Sequence, residues 1–265
     1  MGAWNLPALA TVPGTIYFLQ KVRGMTSPVD AVIVELSEAI GNDPNNAVLY
    51  YRRGCAWHRM NENQKAIADY DEAIRLDPEC AAAHSDRGVA FLHLGDEDRA
   101  LAEFSVAIQL DSKHALAHIN RGDVFRRRRQ RDKAVADYET VVEFLTEAIH
   151  VDPQDGAAYT LRGAAYNRAD RLDEAIQDLD EAVRLVPNTS KAYRHRGEVS
   201  HKQGRFEKAV ADFNMALALD PRNPIILGLR AAAYEALGEH ERAVRDRDLI
   251  VQFTRVAEHD VTKLS

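Results

Sequence analysis

The chain repeats itself every 34 residues, and this period constrains its fold more than any other feature. In six successive segments, repeats 1 to 6, the eighth position is glycine or alanine and the twentieth is alanine. These segments begin at Ala47, Ala81, Ala115, Gly156, Ser190 and Pro224. A unit of this length cannot bury its own apolar face and must stack on its neighbours. The period therefore predicts a repeat array.

The residue types at fixed positions within each repeat describe two packed helices. Apolar residues make up 46% of the chain but aromatic residues only 7%, which suits close-packed helices better than a sheet. Small residues at positions 8 and 20 let antiparallel helices approach closely, and proline near position 32 ends the second helix. A ring at position 11 fills the space beside them. It is present as Trp57, Phe91, Phe125, Tyr166 and Tyr234, with Ser200 as the exception.

The phrases YRRGCAW…KAIADYDEAIRLDP and YTLRGAAY…EAIQDLDEAVRLVP resemble tetratricopeptide repeats, and the resemblance covers about residues 47–257. It implies an all-α fold, a right-handed superhelical solenoid of antiparallel helix pairs with about six full repeats. Residues 28–46 are predicted to hold the second helix of a degenerate repeat before them, because Leu36 and Pro44 fall at the expected positions. Residues 258–265 are predicted to be a tail.

Residues 1–27 are predicted to be a disordered or loosely docked leader. We do not expect a secretory signal there, because Pro7 and Pro13 interrupt the apolar run and no basic residue precedes it. The two cysteines, Cys55 and Cys80, have no disulfide-framework or metal spacing, which indicates a reducing compartment. We therefore expect a cytoplasmic protein that does not insert into membranes.

Repeat 3 departs from the period by seven extra residues between Ala134 and Ala148. Seven residues correspond to about two helical turns, or about 10.5 Å. The extra residues form either a looped-out bulge or an extension of the second helix. Because they include no glycine or proline, we predict one continuous helix with Val141, Val142 and Leu145 in its apolar stripe.

Position 7 is arginine in all six repeats, where the family usually carries an apolar residue, and position 23 is always acidic. We predict a structural ion pair in each repeat, because the planar guanidinium matches a carboxylate. The pairs are Arg53 with Asp69, Arg87 with Glu103, Arg121 with Asp137, Arg162 with Asp178, Arg196 with Asp212 and Arg230 with Asp246.

The resemblance implies that the first helices line a concave groove. The candidate partner-binding residues there are Tyr51, Arg52, Arg59, Asn120, Arg126, Arg127, Asn167, Arg168, Lys191, Arg194, His195 and Lys202. Over all groove positions eight basic residues oppose three acidic ones, about +5, although the whole chain carries −7. This asymmetry predicts an acidic partner lying across repeats 3 to 5. The alternative is that basic residues collect near helix C-termini because of the macrodipole alone.

Other binding chemistries are not expected. The family's carboxylate clamp is absent, since Tyr51 and Cys55 stand where lysine and asparagine are required, and so is its ladder of groove asparagines. The arginine run at 126–131 lacks interleaved aromatic residues, so it indicates a solvated turn or an acidic-partner contact and not nucleic-acid binding. His114 and His118 have metal-ligand spacing, but position 4 is a packing position, which favours a packed or capping role.

No phosphate-binding loop, zinc-protease motif or CxxC pair occurs in the sequence. We therefore predict no enzyme activity, no cofactor and no metal. The leading hypothesis is an adaptor or scaffold that binds a partner peptide or protein segment in the concave groove. The alternatives are a structural assembly module that self-associates, as a homo-oligomer, or joins a larger complex, and a targeting region of a larger enzyme system.

Overall fold

A computed structural model of the chain describes residues 28–261, which form thirteen helices and no strand. The helices are α1 (Pro28–Asn42), α2 (Ala47–Arg59), α3 (Asn63–Leu76), α4 (Ala81–His93), α5 (Glu97–Leu110), α6 (Ala115–Arg127), α7 (Arg131–Val151), α8 (Gly156–Arg168), α9 (Leu172–Leu185), α10 (Ser190–Lys202), α11 (Phe206–Leu219), α12 (Pro224–Ala236) and α13 (His240–Val261). The prediction of an all-α array of helix pairs is confirmed. No helix in this part of the chain is long and apolar enough to span a bilayer.

The described residues divide into two compact units, residues 28–76 and residues 77–261. In the first unit α2 packs against both α1 and α3. In the second unit each first helix packs against the second helix of its own repeat. From α5 onward, each second helix also packs against the first helix of the next repeat. The first helices α4, α6, α8, α10 and α12 also contact one another in succession.

Two predicted segments extend beyond the described residues. The predicted leader at 1–27 lies outside them, and so do residues 262–265 of the predicted tail. The tail was expected to begin at residue 258, but α13 continues to Val261. The helix passes this limit because residues 258–260 include neither glycine nor proline to end it.

In repeats 1, 2, 3 and 5, glycine at position 8 is required by a ring that crosses from the second helix. A Cβ atom at Gly122 would lie 2.6 Å from Cε1 of Tyr138, well inside van der Waals contact. Tyr138 is fully buried, and Ala134 at position 20 is buried beside it. The small residues of the repeat therefore make room for a large one at position 24.

The position-7 arginine holds each repeat together. In all six repeats its Nη2 donates a hydrogen bond of 2.6–2.7 Å to the position-23 carboxylate of the same repeat. In five repeats its Nε also donates to that carboxylate. In repeat 2 the second oxygen instead contacts Nδ1 of His84 at 2.8 Å.

The same arginine also reaches backward along the chain, a contact that was not expected from the sequence. Its Nη1 donates to a polar side chain sixteen residues earlier, on the preceding second helix. The acceptors are Ser37, Ser105, Thr146, Asp180 and Asn214. Each of these arginines therefore links two successive repeats.

Helix α7 runs without a break for 21 residues, whereas α9 and α11 have 14. Asp137 pairs with Arg121 sixteen residues before it, and Thr146 pairs with Arg162 sixteen residues after it. Since this spacing is the one found in other repeats, the extra residues are 139–145. Val141, Val142, Phe144 and Leu145 from this segment are buried in a cluster with residues of α6 and α8.

Candidate functional site

Basic side chains from three repeats surround one cleft in the second unit. This basic cleft, of about 490 Å³, is lined by Arg126, Arg129, Arg131, Arg168 and Lys202. Tyr138 and Val135 of α7 also line it. The single carboxylate in its lining belongs to Asp170, so five cations oppose one anion.

The stacking of the helices accounts for this arrangement. Arg126, Arg168 and Lys202 stand in the last turns of α6, α8 and α10, whose C-terminal ends lie in succession. The helix macrodipole favours cations there. Arg131, however, is the first residue of α7, where the macrodipole disfavours a cation. The macrodipole alone therefore does not explain the cluster.

Arg129 occupies the turn between α6 and α7 in a left-handed conformation, with φ of 59°. The equivalent turns of the other five repeats use residues that tolerate this conformation more easily: Asn61, Gly95, Asp170, Gly204 and Gly238. Neither Arg129 nor Arg131 has an ion-pair partner within residues 28–261. Their guanidinium groups are thus open to an external anion.

The carboxylate of Asp123 fixes one wall of the basic cleft. It accepts hydrogen bonds from Nε of Arg168 at 2.9 Å and from the hydroxyl of Tyr138 at 2.8 Å. It also accepts a weaker one from Nη2 of Arg126 at 3.2 Å. Burial acts against the Arg168 charge, but the charge and hydrogen bond of Asp123 outweigh it and raise the Arg168 pKa. Arg168 is therefore held as a fixed positive charge.

The pKa of Lys202 is lowered in the basic cleft. Burial lowers its pKa from the ordinary 10.5, and the nearby charges of Arg126 and Arg168 lower it further against the attraction of Asp170. Its Nζ donates to the backbone oxygen of Asn167 at 2.7 Å, which positions the ammonium at the edge of the cleft. An anion bound here would stabilise the protonated lysine.

A hollow of about 240 Å³ shares Arg126, Arg168 and Lys202 with the basic cleft. Asn167 and His201 also line it. Oδ1 of Asn167 and Nε2 of His201 are buried and have no hydrogen-bond partner among the described residues. An unpaired buried polar atom costs about 1–3 kcal/mol. A donor supplied by a ligand would remove part of this cost.

Glu198 and its neighbours form a charged network at the edge of the hollow. Burial opposes ionisation of Glu198, but the hydrogen bond from His195 and the charges of Arg194 and Arg168 bring its pKa to about 2. Burial lowers the pKa of His195, and Arg194 adds to the effect. In the neutral ring Nδ1 donates to Glu198 and Nε2 accepts from Arg194.

The structure brings only some of the predicted groove residues together. Arg126, Asn167, Arg168 and Lys202 meet around the basic cleft and its hollow. Arg194 and the buried His195 are engaged with Glu198 instead.

The remaining predicted groove residues lie outside these two linings. Arg127 turns to Glu97 of α5, with Nε 3.2 Å from Oε1. The others are the half-buried Asn120 on α6 and the exposed Lys191 on α10, together with Tyr51, Arg52 and Arg59 of α2 in the first unit.

Two basic residues of the cleft were absent from the predicted groove set. Arg129 and Arg131 lie in the turn and at the start of the second helix, outside the positions that the resemblance assigns to the groove. The run at 126–131 was the available signal. The count of +5 also treated every charge as free, whereas Asp123 and Glu198 engage Arg168 and Arg194.

The two histidines with metal-ligand spacing have other contacts. Nδ1 of His114 accepts a hydrogen bond from the backbone N–H of Ala117 and so caps α6. The buried ring of His118 contacts Asp137 through Nδ1 and the backbone oxygen of Ser112 through Nε2. No cluster of three or more ligating side chains suited to a metal occurs within residues 28–261.

The sequence profile of the tetratricopeptide repeat matches residues 51–115, 119–190, 168–224 and 196–246. The chain belongs to the tetratricopeptide-repeat family. The array is thus a protein-interaction scaffold in the general sense of its family. No curated protein sequence is significantly similar to this chain.

Solved structures with the same architecture agree with this assignment of the fold. A chain of the APC/C hetero-tetramer Cut9-Hcn1 matches 87% of this tetratricopeptide-repeat chain with 15% identity and a TM-score of 0.58. This chain spans about half of that longer one, 46%. TTC0263, a thermophilic repeat protein of Thermus thermophilus, matches 72% of this chain over 99% of its own, with 21% identity and a TM-score of 0.56.

A tetratricopeptide repeat protein from Parabacteroides merdae ATCC 43184 matches 92% of this chain over 96% of its own. Its identity is 17% and its TM-score 0.54. At such identities the likeness of all three structures concerns the fold alone.

Proposed function

We propose that this scaffold binds an acidic segment of a partner protein in the basic cleft, across repeats 3 to 5. The observation that carries the proposal is a cleft lined by five cations and one carboxylate, in a chain with net charge −7. Asp123 engages Arg126 and Arg168, but Arg129 and Arg131 have no ion-pair partner among residues 28–261. A concave site of one sign concentrates the field and attracts groups of the opposite sign.

The backbone of Arg129 supports this function. A left-handed conformation costs a residue with a Cβ atom about 1–2 kcal/mol relative to the right-handed one. Other repeats avoid most of this cost with glycine, asparagine or aspartate at the same turn. Strain that persists at one position is more easily explained by a function of that side chain than by folding.

The chemistry of the lining defines the segment that fits. Carboxylates of aspartate or glutamate can accept paired hydrogen bonds from the unpaired guanidinium groups of Arg129 and Arg131. Lys202 provides a third cation at the other side of the cleft. A backbone N–H of an extended segment matches the unpaired Oδ1 of Asn167 in the adjoining hollow.

Fluorescence anisotropy with a labelled peptide of alternating serine and glutamate tests the proposal, with a serine–lysine peptide for comparison. We expect the full chain to prefer the acidic peptide, and added salt to weaken its binding because the contacts are ionic. Arg129→Glu combined with Arg131→Glu should weaken binding about ten-fold or more.

The matched control is Arg52→Glu with Arg59→Glu, which makes the same charge change on exposed residues of α2. It should change the affinity much less. Equal affinity for the two peptides, or equal losses in the two double variants, contradicts the proposal.

A further inference from the structure

Five of the six repeats place a basic side chain over the ring at position 11. The distances from the cation to the ring centroid are 4.3–5.6 Å. The pairs are Lys65 with Trp57, Arg99 with Phe91, Lys133 with Phe125, Arg171 with Tyr166 and Arg242 with Tyr234. In repeats 3, 4 and 6 the position-7 arginine lies within 6.0 Å of the same ring. In these three repeats the ring is thus held by cations from both helices.

Repeat 5 keeps the cations but lacks the ring. Ser200 occupies position 11, while Arg196 remains at position 7 and Lys208 at position 19. A pocket of about 350 Å³, the repeat-5 pocket, is lined by these three residues and by Arg205. Its other lining residues are Ile176, Asp180, Ala211 and Asp212.

The charges around the repeat-5 pocket favour a ring as its occupant. Asp180 and Asp212 both accept hydrogen bonds from Arg196, and the three cations of the lining outnumber these two carboxylates. Arg205 and Lys208 have no ion-pair partner in residues 28–261. Their cations can therefore approach the face of a ring, as the equivalent residues do in other repeats.

We infer that the repeat-5 pocket binds an aromatic side chain of a partner protein. The volume falls within the usual range of binding pockets. Ile176 and Ala211 supply apolar contacts for the edge of the ring, and Arg196 and Lys208 supply the cations. The same chain shows the expected geometry in its other repeats. The pocket shares no lining residue with the basic cleft. Each of the two proposals can therefore be wrong without affecting the other.

Titration of the full chain with N-acetyl-tryptophanamide, followed by amide chemical shifts in nuclear magnetic resonance spectra, tests this inference. We expect saturable shifts at Ser200 and Lys208. Ser200→Phe should fill the pocket and weaken binding at least about ten-fold. Lys208→Met should weaken it roughly two- to five-fold through loss of the cation. Lys191→Met, a change of another exposed lysine on α10, should have no effect.

Phe125→Ser provides the converse test, because it opens the equivalent pocket in repeat 3 and should create a second binding site. Circular dichroism should show that Ser200→Phe stays folded, since rings fit this position elsewhere. Unfolding of Ser200→Phe, or binding that Ser200→Phe leaves unchanged, overturns the inference. So does the absence of binding to the wild-type chain.

Discussion

Replacing Arg162 by methionine is the most stringent test of the role of the position-7 arginine. Arg162 is the least exposed of the six position-7 arginines, at 14%, and its partner Asp178 is 8% exposed. Its Nε and Nη2 each donate to Asp178 at 2.7 Å, and its Nη1 donates to Thr146 of α7 at 3.0 Å. The substitution leaves a buried carboxylate without its cation, which costs about 3–5 kcal/mol.

The two functions of this arginine can be separated. Thr146→Val removes only the link between repeats and leaves the Asp178 pair intact, so we expect a loss of about 0.5–1.5 kcal/mol. Asp178→Asn combined with Arg162→Met removes both charges. This double variant should be more stable than the sum of the single effects predicts, by at least about 1 kcal/mol.

Urea denaturation followed by circular dichroism at 222 nm measures these free energies of unfolding. The m-value must stay constant across the variants for the comparison to hold. A loss below about 1 kcal/mol in Arg162→Met would show that the buried carboxylate of Asp178 needs no cation, contrary to this prediction. Additivity in the double variant would show that the two residues are not energetically coupled.

Four further predictions concern single substitutions. Gly122→Ala should destabilise the fold by about 1 kcal/mol in urea denaturation, because the clash with Tyr138 exceeds the gain in helix propensity. Gly41→Ala, where no atom lies within 4 Å of the added Cβ, should stabilise α1. Arg129→Gly should raise stability by about 1 kcal/mol in the same assay and weaken acidic-peptide binding in anisotropy. Because the pKa of Glu198 is about 2 in the folded chain and ordinarily 4.5, it stabilises the fold above pH 4.5. This contribution, about 3 kcal/mol, should be lost as pH falls towards 2, and Glu198→Gln should abolish that part of the acid dependence.

The helix pairs were predictable because each rests on contacts within one repeat. Gly122, Ala134 and the proline near position 32 act on residues fewer than 34 positions away, so their spacing alone indicates the packing. The signal for the link between repeats was also present. Position 25 is polar in every repeat, as Ser105 and Thr146 show. Its role as the acceptor for the next repeat's arginine depends on how the repeats stack, which the sequence does not state.

The basic cleft could be predicted only in outline. Arg168 and Asp123 are 45 residues apart and belong to different repeats, so their pairing depends on the stacking of α6 and α8. The charge count over the groove missed this pairing and placed Lys191 with the others. The missing ring at Ser200 was visible in the sequence, but the pocket beside it was not, because side chains from three helices determine its volume.

Photo-crosslinking of an acidic peptide to the full chain shows whether the basic cleft is where the peptide binds. The probe is the serine–glutamate peptide with one benzophenone side chain, and mass spectrometry identifies the residues it joins. We predict crosslinks concentrated around the basic cleft, in α6, α8 and α10 and the turn that carries Arg129, and suppressed by salt. Crosslinks spread equally over α2 and the second helices, or an identical pattern from the serine–lysine peptide, would contradict the account.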